Sequence, residues 1–295
     1  MNDPRLRLEP IAWFAPTDDR RDPWVTVGLP APLLEHAART CYLVGVTAIA
    51  SRRARRVLLH HQTYGAWNSL CGDEPFREQP VVLEREGDLS VGFGYSGYLV
   101  SPDTVLTCWH GWENFSRRAQ VAVFGYAASA DSHISTELPA AQVLPVAAYP
   151  ETRPPPAIER GSCSGDWVLL RLEHPVTHLG TLAPLHIEAP LRGRAVYTLG
   201  HPGGLPLKLA DRAKILNVSD GAFSTDLDTF TGNSGSPVFD AESHALVGLV
   251  VEGQKGQGDF KPSPARRCYV ANRIEGDASG QLSVPSGCFA PDVTR

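Results

Sequence analysis

The chain has 295 residues, a formal net charge of −5 at pH 7 and 42% hydrophobic residues. This composition is typical of a soluble globular protein that can bury a large core. The charge is modest and spread along the chain, which excludes the broad basic surface of a nucleic-acid-binding protein. The longest apolar stretch in the N-terminal third, residues 41–50, has about half the length that spans a bilayer. We therefore expect neither a nucleic-acid partner nor a membrane partner.

The N-terminus carries mixed charge and two prolines within residues 1–10, instead of a basic head followed by an apolar stretch. It does not resemble a secretory signal, so we predict a cytoplasmic protein. In a reducing compartment the cysteines are expected to be free thiols, and none forms a Cys-x-x-Cys pair. We predict no cofactor and no metal site. The six cysteines are Cys41, Cys71, Cys108, Cys163, Cys268 and Cys288.

Residues 1–85 differ from the rest of the chain. A Pro-rich, charged start is followed by apolar residues at helical spacing between Leu33 and His61. This pattern predicts a partly helical N-terminal extension, through which a regulatory partner is a further hypothesis. The extension contains one basic run, residues 52–56, which is either a solvated surface at the end of a short helix or a cleavable site.

Short β-type runs replace this pattern from about Leu89 onward. Predicted strands at residues 97–100, 121–124, 166–170, 195–199 and 245–251 are separated by Gly, Pro, Asp and Ser. Regularly spaced short strands with turn residues between them indicate a sandwich or a barrel. We place this mostly β domain at residues 86–280 and a C-terminal tail at residues 281–295.

The most specific motif is residues 228–237, Asp-Thr-Phe-Thr-Gly-Asn-Ser-Gly-Ser-Pro. Glycines allow a sharp turn in which a serine hydroxyl and two backbone N–H groups face one point in space. The segment resembles the nucleophile loop of the trypsin/chymotrypsin family, Gly-x-Ser-Gly-x-Pro. That resemblance implies two six-stranded antiparallel β-barrels, Ser234 as nucleophile, and the N–H groups of Gly232 and Ser234 as the oxyanion hole.

A serine hydroxyl needs a base within hydrogen-bond reach, itself oriented by a third group. Two predicted strands joined by a Ser-Pro-Asp turn lead to His110, as in the family's strand that ends at its catalytic histidine. Residues 165–172 resemble the family's strand headed by a buried aspartate, which implies Asp166 as the third member. The order His, Asp, Ser matches the chymotrypsin order and excludes the order of α/β-hydrolases. Cys108 and Gly111 beside His110 depart from animal trypsins, which have alanine and cysteine there.

Activation is predicted to differ from that of animal trypsins. They have aspartate in the place of Asn233, and a freshly cut N-terminal ammonium pairs with it. Because the asparagine carries no charge, we predict that release of a new N-terminus is not required. Bacterial glutamyl endopeptidases and HtrA-type proteases also have asparagine at this place, and the segment resembles theirs.

Substrate choice in this family depends on the floor of the primary pocket, which in trypsins is an aspartate six residues before the serine. The resemblance places Asp228 there, beside Thr229, and implies a preference for Arg or Lys. An arginine in the segment Arg266-Arg267-Cys268-Tyr269, on the opposite wall, would neutralise Asp228 or block the pocket. If the preference holds, residues 52–56 are a candidate self-processing site that releases the extension.

The family's extended substrate pairs with the strand that corresponds here to Val251, Glu252 and Gly253. The sequence thus predicts a serine endopeptidase (a hydrolase) whose substrate is a protein or peptide, here a partner protein in its own cell. Two alternatives stay open: the same triad with a preference for acidic or small residues, and a non-catalytic pseudoprotease that only binds.

Overall fold

The structure is a computed structural model that describes residues 18–115, 119–147, 166–219, 222–252, 259–272 and 281–285. Helices are few and short in these residues: α1 Ala31–Arg39, α2 Tyr64–Asn68 and α3 Trp109–Phe115. None of the helices in this part of the chain is long and apolar enough to cross a membrane.

Strands make up most of the regular structure. In chain order they are β1 Thr40–Gly45, β2 Ile49–Arg53, β3 Arg56–Leu59, β4 His61–Thr63, β5 Pro80–Val82, β6 Glu84–Glu86, β7 Leu89–Gly92, β8 Tyr95–Ser101, β9 Thr104–Thr107, β10 Gln120–Phe124, β11 Glu137–Pro139, β12 Val143–Pro145, β13 Val168–Arg171, β14 Ala195–Gly200, β15 Lys208–Ser219, β16 Ala222–Thr225, β17 Pro237–Asp240, β18 Leu246–Glu252, β19 Phe260–Pro262, β20 Tyr269–Ala271 and β21 Gln281–Pro285.

The first large sheet has six antiparallel strands in the order β12-β10-β1-β8-β9-β13. The two edges of this sheet meet, since Val146 after β12 forms an antiparallel bridge with Leu172 after β13. The sheet is therefore curled into a barrel. The second large sheet is a closed barrel in the order β14-β15-β16-β21-β18-β17. This architecture confirms the predicted mostly β, double-barrel fold with a helix near the N-terminus.

The two barrels share a hydrophobic core. Tyr98 of β8 and Phe239 of β17 are fully buried, with ring centroids 5.3 Å apart. His36 of α1 stacks on the same phenylalanine at 4.0 Å, and Tyr197 of β14 lies 5.2 Å from it. Aromatic pairs contribute about 0.5–1.5 kcal/mol each beyond the area they bury, so this cluster stabilises the contact between the barrels.

The predicted boundaries at residues 85 and 280 do not coincide with the sheets. β1 lies inside the first sheet, between β10 and β8, and all six of its residues are buried. β21 pairs with β16 and β18 and so closes the second barrel. The helical spacing expected from Leu33 to His61 holds only for α1. A continuous buried apolar run has no period that separates strand from helix, which is why β1 was assigned to the wrong type.

The five predicted strands of the β domain are confirmed, as β8, β10, β13, β14 and β18. The basic run at residues 52–56 is not at the end of a helix. It forms the exposed hairpin between β2 and β3. Cleavage there would detach β1 from the middle of its sheet, so the structure does not support release of a separate extension at this site.

The expectation of free thiols is wrong for two cysteines, because Cys71 and Cys268 form a disulfide across 197 residues. The bond joins the segment after α2 to the hairpin of β19 and β20. Cys41 and Cys108 are free and buried, while Cys163 and Cys288 lie outside the described residues.

Candidate active site

The three predicted triad residues lie together where the two barrels meet. The Nδ1 atom of His110 is 2.7 Å from Asp166 Oδ2, and its Nε2 atom is 2.9 Å from Ser234 Oγ. Asp166 also accepts the backbone N–H of His110 at 2.9 Å. The carboxylate therefore holds the histidine at two points, and the other ring nitrogen faces the serine hydroxyl.

His110 owes its position to the junction of β9 and α3, since it is the second residue of this short helix. The next residue must be small: a Cβ on Gly111 would lie 2.7 Å from the Tyr95 ring and 2.8 Å from Cys108 Sγ. This contact explains the glycine beside the histidine, where animal trypsins have cysteine. Asp166 precedes β13 and His110 follows β9. Because these strands pair, with Val168 opposite Thr107, both residues lie at the same edge of one sheet.

The electrostatics of His110 favour its protonated form. Burial alone would lower the pKa of its imidazole, but the hydrogen bond to Asp166 and the contact with Cys108 outweigh burial and raise the pKa above its ordinary value of 6.5. The imidazole is thus a strong base for a proton arriving from Ser234.

The loop that carries Ser234 needs glycine at two positions. Gly232 has φ +99°, and a Cβ there would lie 2.7 Å from the His201 carbonyl oxygen. Gly235 has φ +82°, and a Cβ there would clash with the Ser96 carbonyl oxygen. Only glycine combines a positive φ with such close backbone approach. Within the described residues, the N–H groups of Gly232 and Ser234 donate no internal hydrogen bond, which leaves both for a ligand.

A family model described as a trypsin-like peptidase domain matches residues 95–249, more than half of the chain. The chain belongs to the trypsin-like peptidase family. The matched region of this peptidase domain includes His110, Asp166 and Ser234. Among curated proteins, no match to the sequence was found.

Solved structures similar to this peptidase include two forms of the Rv3671c protease. The inactive form is 15% identical, with 87% of each chain covered and a TM-score of 0.45. The active form, from M. tuberculosis, is 17% identical over 90% of this chain and 87% of that chain, with a TM-score of 0.44. A Glu endopeptidase in complex with MPD is 15% identical over 83% of this chain and 91% of that chain, with a TM-score of 0.43.

Asn233 of this peptidase is 3% exposed and faces an internal partner. Its Oδ1 atom lies 3.3 Å from the Ser236 hydroxyl, which donates to it. The amide oxygen therefore has a neutral donor inside the loop, consistent with the prediction that no new N-terminal ammonium is required.

Asp228 is half-buried and contacts a segment that the sequence did not connect to the site. Residues 18–22, which we call the N-terminal strap, lie beside it. The backbone N–H of Asp19 donates to Asp228 Oδ2 at 3.1 Å. Burial, followed by the nearby Asp228 carboxylate, raises the pKa of Asp19 to about 7. The two carboxyl groups thus repel each other when both are ionised.

The strap is fixed to the second barrel by backbone and side-chain contacts. Arg21 pairs with Leu209 of β15 through two backbone hydrogen bonds of 2.9 and 2.8 Å. The Arg20 guanidinium is buried, bonds Asp18, and lies 3.8 Å from the ring centroid of Phe230. Since Phe230 is four residues before Ser234, the strap packs directly on the segment that leads to the nucleophile.

The other predicted substrate residues flank the loop. Thr229 is half-buried next to Asp228. In β18, Val250 is bonded to the nucleophile loop through Gly235 N–H and the Ser236 carbonyl. The register with β21 then passes to Glu252 and leaves Val251 out of the ladder as a bulge. Gly253 lies outside the described residues.

Of the two arginines considered as partners that would neutralise Asp228, Arg266 pairs with another carboxylate. Arg266 is exposed and forms its ion pair with Asp73 at 2.7 Å. In the described part of the chain, no group of three or more His, Cys, Asp or Glu residues is arranged to hold a metal ion.

Sequence reasoning missed the strap, the disulfide and Ser96. The dense charges of residues 18–22 were a signal for local ion pairs, but nothing in the sequence connects them to Asp228, about two hundred residues later. Ser96 carries no signal, because a buried serine in a strand has no distinctive pattern.

Proposed function

We propose that this chain is a serine endopeptidase that acts through His110, Asp166 and Ser234. The observation that carries the proposal is the continuous line of contacts from Asp166 to His110 to Ser234, at 2.7 and 2.9 Å. A base within hydrogen-bond reach of the nucleophile, itself held by a carboxylate, is the arrangement that makes a serine hydroxyl reactive.

Acylation begins when Ser234 Oγ attacks the carbonyl carbon of the scissile peptide bond. His110 Nε2 takes the hydroxyl proton and then gives it to the leaving amine, which departs as the new N-terminus of one product. Asp166 accepts from Nδ1 and stabilises the imidazolium that forms between the two transfers. A water molecule, activated by the same histidine, hydrolyses the acyl-enzyme.

The negative charge on the tetrahedral oxygen is stabilised by the N–H groups of Gly232 and Ser234. Both belong to a loop of fixed backbone, so their dipoles do not reorganise during the reaction. The substrate backbone pairs with β18 at Val251 and Glu252, as an added strand, which requires an extended segment of the substrate. We therefore propose loops or unfolded segments of proteins as substrates.

For the primary pocket we propose Asp228 and Thr229, with a preference for Arg or Lys. A cationic side chain would compensate the repulsion between the Asp228 and Asp19 carboxylates, which supports this choice. A preference for acidic residues is the less favourable outcome, because it would bring a third carboxylate to the pair.

Cleavage of a peptide library by wild type beside Ser234→Ala tests the activity, with products identified by mass spectrometry. We expect turnover to fall by about 10⁴-fold or more in the variant. A fluorophosphonate probe should label wild type and the control variant Ser90→Ala, whose hydroxyl is near the surface and bonds Gln62. Absence of labelling at Ser234 in wild type would show a non-catalytic binding module.

The pocket assignment is tested by Asp228→Asn beside Asp226→Asn. Asp226 is in the same loop but accepts the backbone N–H of Lys214, a role that asparagine can retain. We expect preference for Arg and Lys to disappear only in the first variant. A library profile dominated by acidic or small residues in wild type would contradict the assignment and favour the alternative specificity.

We also propose that the protein acts in the cytoplasm and that its substrate is a partner protein of the same cell. The Cys71–Cys268 disulfide would there be under reducing conditions, which disfavour it. Alkylation of the thiols at the moment of cell lysis, followed by mass spectrometry, would detect both cysteines alkylated if the location is correct. A bonded pair would place the protein in an oxidising compartment.

A further inference from the structure

We infer that Ser96 is a positioning residue that holds the nucleophile loop in the shape of a functional oxyanion hole. The inference rests on the proposed peptidase function and adds a residue of the first barrel to the catalytic arrangement. Ser96 lies in β8, next to the strand that leads to His110, and it is fully buried.

Ser96 donates two hydrogen bonds to carbonyl groups of the nucleophile loop. Its hydroxyl donates to the Gly232 carbonyl at 2.8 Å, and its backbone N–H donates to the Ser234 carbonyl at 2.9 Å. These carbonyls belong to the peptide groups on either side of the one that joins Asn233 to Ser234. Ser96 thus holds the peptide groups directly before and directly after the one whose N–H the mechanism requires from Ser234.

Two other donors hold the carbonyls of the two peptide groups that contain the N–H groups of Gly232 and Ser234. Gly203 N–H donates to the Thr231 carbonyl at 2.6 Å, and Ser236 N–H donates to the Asn233 carbonyl at 2.8 Å. In a trans peptide group the C=O and N–H point in opposite directions. Fixing these two carbonyls therefore aims the N–H groups of Gly232 and Ser234 away from the protein and toward a bound substrate.

The hydroxyl of Ser96 has only one orientation that satisfies its surroundings. Its oxygen accepts the backbone N–H of His201 at 2.9 Å, so its single proton is directed to the Gly232 carbonyl. Its own carbonyl accepts the Thr107 hydroxyl at 2.6 Å. The network is closed and buried, and loss of the Ser96 hydroxyl would leave the Gly232 carbonyl and the His201 N–H without their partner.

This arrangement provides internally what an inserted ammonium provides in animal trypsins. The side chain of Asn233 has a neutral internal donor and no charge to attract a new N-terminus. The order of the loop then depends on backbone contacts with the first barrel. Because Ser96 lies in β8 and His110 follows β9, the strand paired with it, one sheet positions both the oxyanion hole and the base.

The test compares Ser96→Ala with Thr40→Val. Thr40 is also buried, and its hydroxyl donates to the His36 carbonyl at 2.9 Å. The second variant therefore removes a buried hydrogen bond that belongs neither to the nucleophile loop nor to the contacts of Ser96. We expect kcat of Ser96→Ala to fall about 10- to 100-fold with little change in KM, less than the loss of a direct oxyanion donor. For Thr40→Val we expect kcat within about threefold of wild type, a margin set well below the effect of losing a direct oxyanion donor.

A peptidyl aldehyde measures the oxyanion hole itself. Ser234 Oγ adds to the aldehyde carbon, the hydroxyl proton passes to His110, and the hemiacetal oxygen occupies the hole. We expect Ser96→Ala to weaken this inhibitor by the same factor as kcat. Equal losses of thermal stability in both variants, with kcat and inhibitor affinity of Ser96→Ala unchanged, would show a purely structural role and overturn the inference.

A readout without catalysis separates this inference from the proposed function. In the wild type we expect sharp backbone amide NMR signals for Gly232 and Ser234. Conformational exchange should broaden them in Ser96→Ala but not in Thr40→Val. If wild type fails to react with fluorophosphonate, the proposed function fails. Unbroadened signals in Ser96→Ala would overturn the role of Ser96 whether or not the protein is active.

Discussion

His110 shows how the surroundings of a single residue set its chemistry. Burial opposes its charge, while Asp166 and Cys108 favour it, and the second influence is stronger. A base with a raised pKa is protonated over a wider pH range, so the active neutral form appears only at higher pH. The same carboxylate that orients the ring would therefore also determine the pH range of the proposed activity.

Replacement of Asp166 by asparagine should change both properties. In the pH profile of kcat/KM, we expect the rising limb of wild type to lie above pH 6.5. In Asp166→Asn we expect this limb to move to lower pH. The maximum rate should fall about 10⁴-fold, because the amide no longer selects the correct tautomer. Rates measured from pH 5 to 10 check this. Asp103→Asn, which breaks a surface ion pair with Arg171, is the control and should leave the limb in place.

At the scale of elements, the N-terminal strap and the β19–β20 hairpin both brace the segment before Ser234. The strap reaches Asp228 and Phe230. The hairpin follows Asp259, whose carboxylate accepts the Thr231 N–H at 3.0 Å. Neither element belongs to a barrel, yet each contacts the loop that the proposed pocket and oxyanion hole require.

The strap should give stability an unusual pH dependence. Asp19 has its pKa raised from 3.8 to about 7, so the folded state holds this proton more tightly than the unfolded state. Its contribution to stability is therefore present at low pH and is lost as pH rises from about 4 to about 7.

Urea unfolding of Asp19→Asn beside wild type measures this loss. Relative to wild type, the unfolding free energy of Asp19→Asn should increase between pH 4 and 7 and remain constant at higher pH. Asp240→Asn is the control. Burial alone would raise the pKa of Asp240, but Arg194 lowers it to about 2, so its difference from wild type should not change over this range. If the difference in unfolding free energy between Asp19→Asn and wild type did not change from pH 4 to 7, the raised pKa of Asp19 would be contradicted.

The disulfide between Cys71 and Cys268 closes a loop of nearly two hundred residues. Such a cross-link restricts the unfolded chain, and we expect Cys71→Ala/Cys268→Ala to lose about 2–5 kcal/mol of unfolding free energy. Urea unfolding of oxidised wild type, reduced wild type and the double variant measures it. The reduced protein should have the same unfolding free energy as the double variant. Identical urea midpoints for all three proteins would show that the disulfide does not form.

At the scale of the whole molecule, His110, Asp166 and Ser234 lie together only because two barrels dock. His110 and Asp166 come from the first sheet and Ser234 from the second barrel. The shared aromatic core around Phe239 sets their relative position. Stability of the interface and geometry of the site are therefore coupled.

Phe239→Ala should test that coupling. We expect a loss of about 3–5 kcal/mol in unfolding free energy, as for other buried aromatic residues, together with a lower kcat of the folded variant. Phe223→Ala, in the core of the second barrel alone, is the matched control. It should lose similar stability and retain more activity. Equal kcat values in the two variants, measured well below their melting temperatures, would argue against coupling.

Local patterns in the sequence determined the fold class, five strands of the matched domain and the three residues that meet in the candidate site. These patterns are readable because glycines with positive φ, turn residues and short apolar runs are consequences of local backbone geometry. The sequence misjudged β1, because a strand buried on both faces has no period, and it misjudged Cys71 and Cys268, because pairing depends on distance in space. Tertiary structure alone decided the contacts of Asp228 with the strap and of Ser96 with the nucleophile loop. Both join residues more than a hundred positions apart, and such contacts are fixed by how the barrels pack.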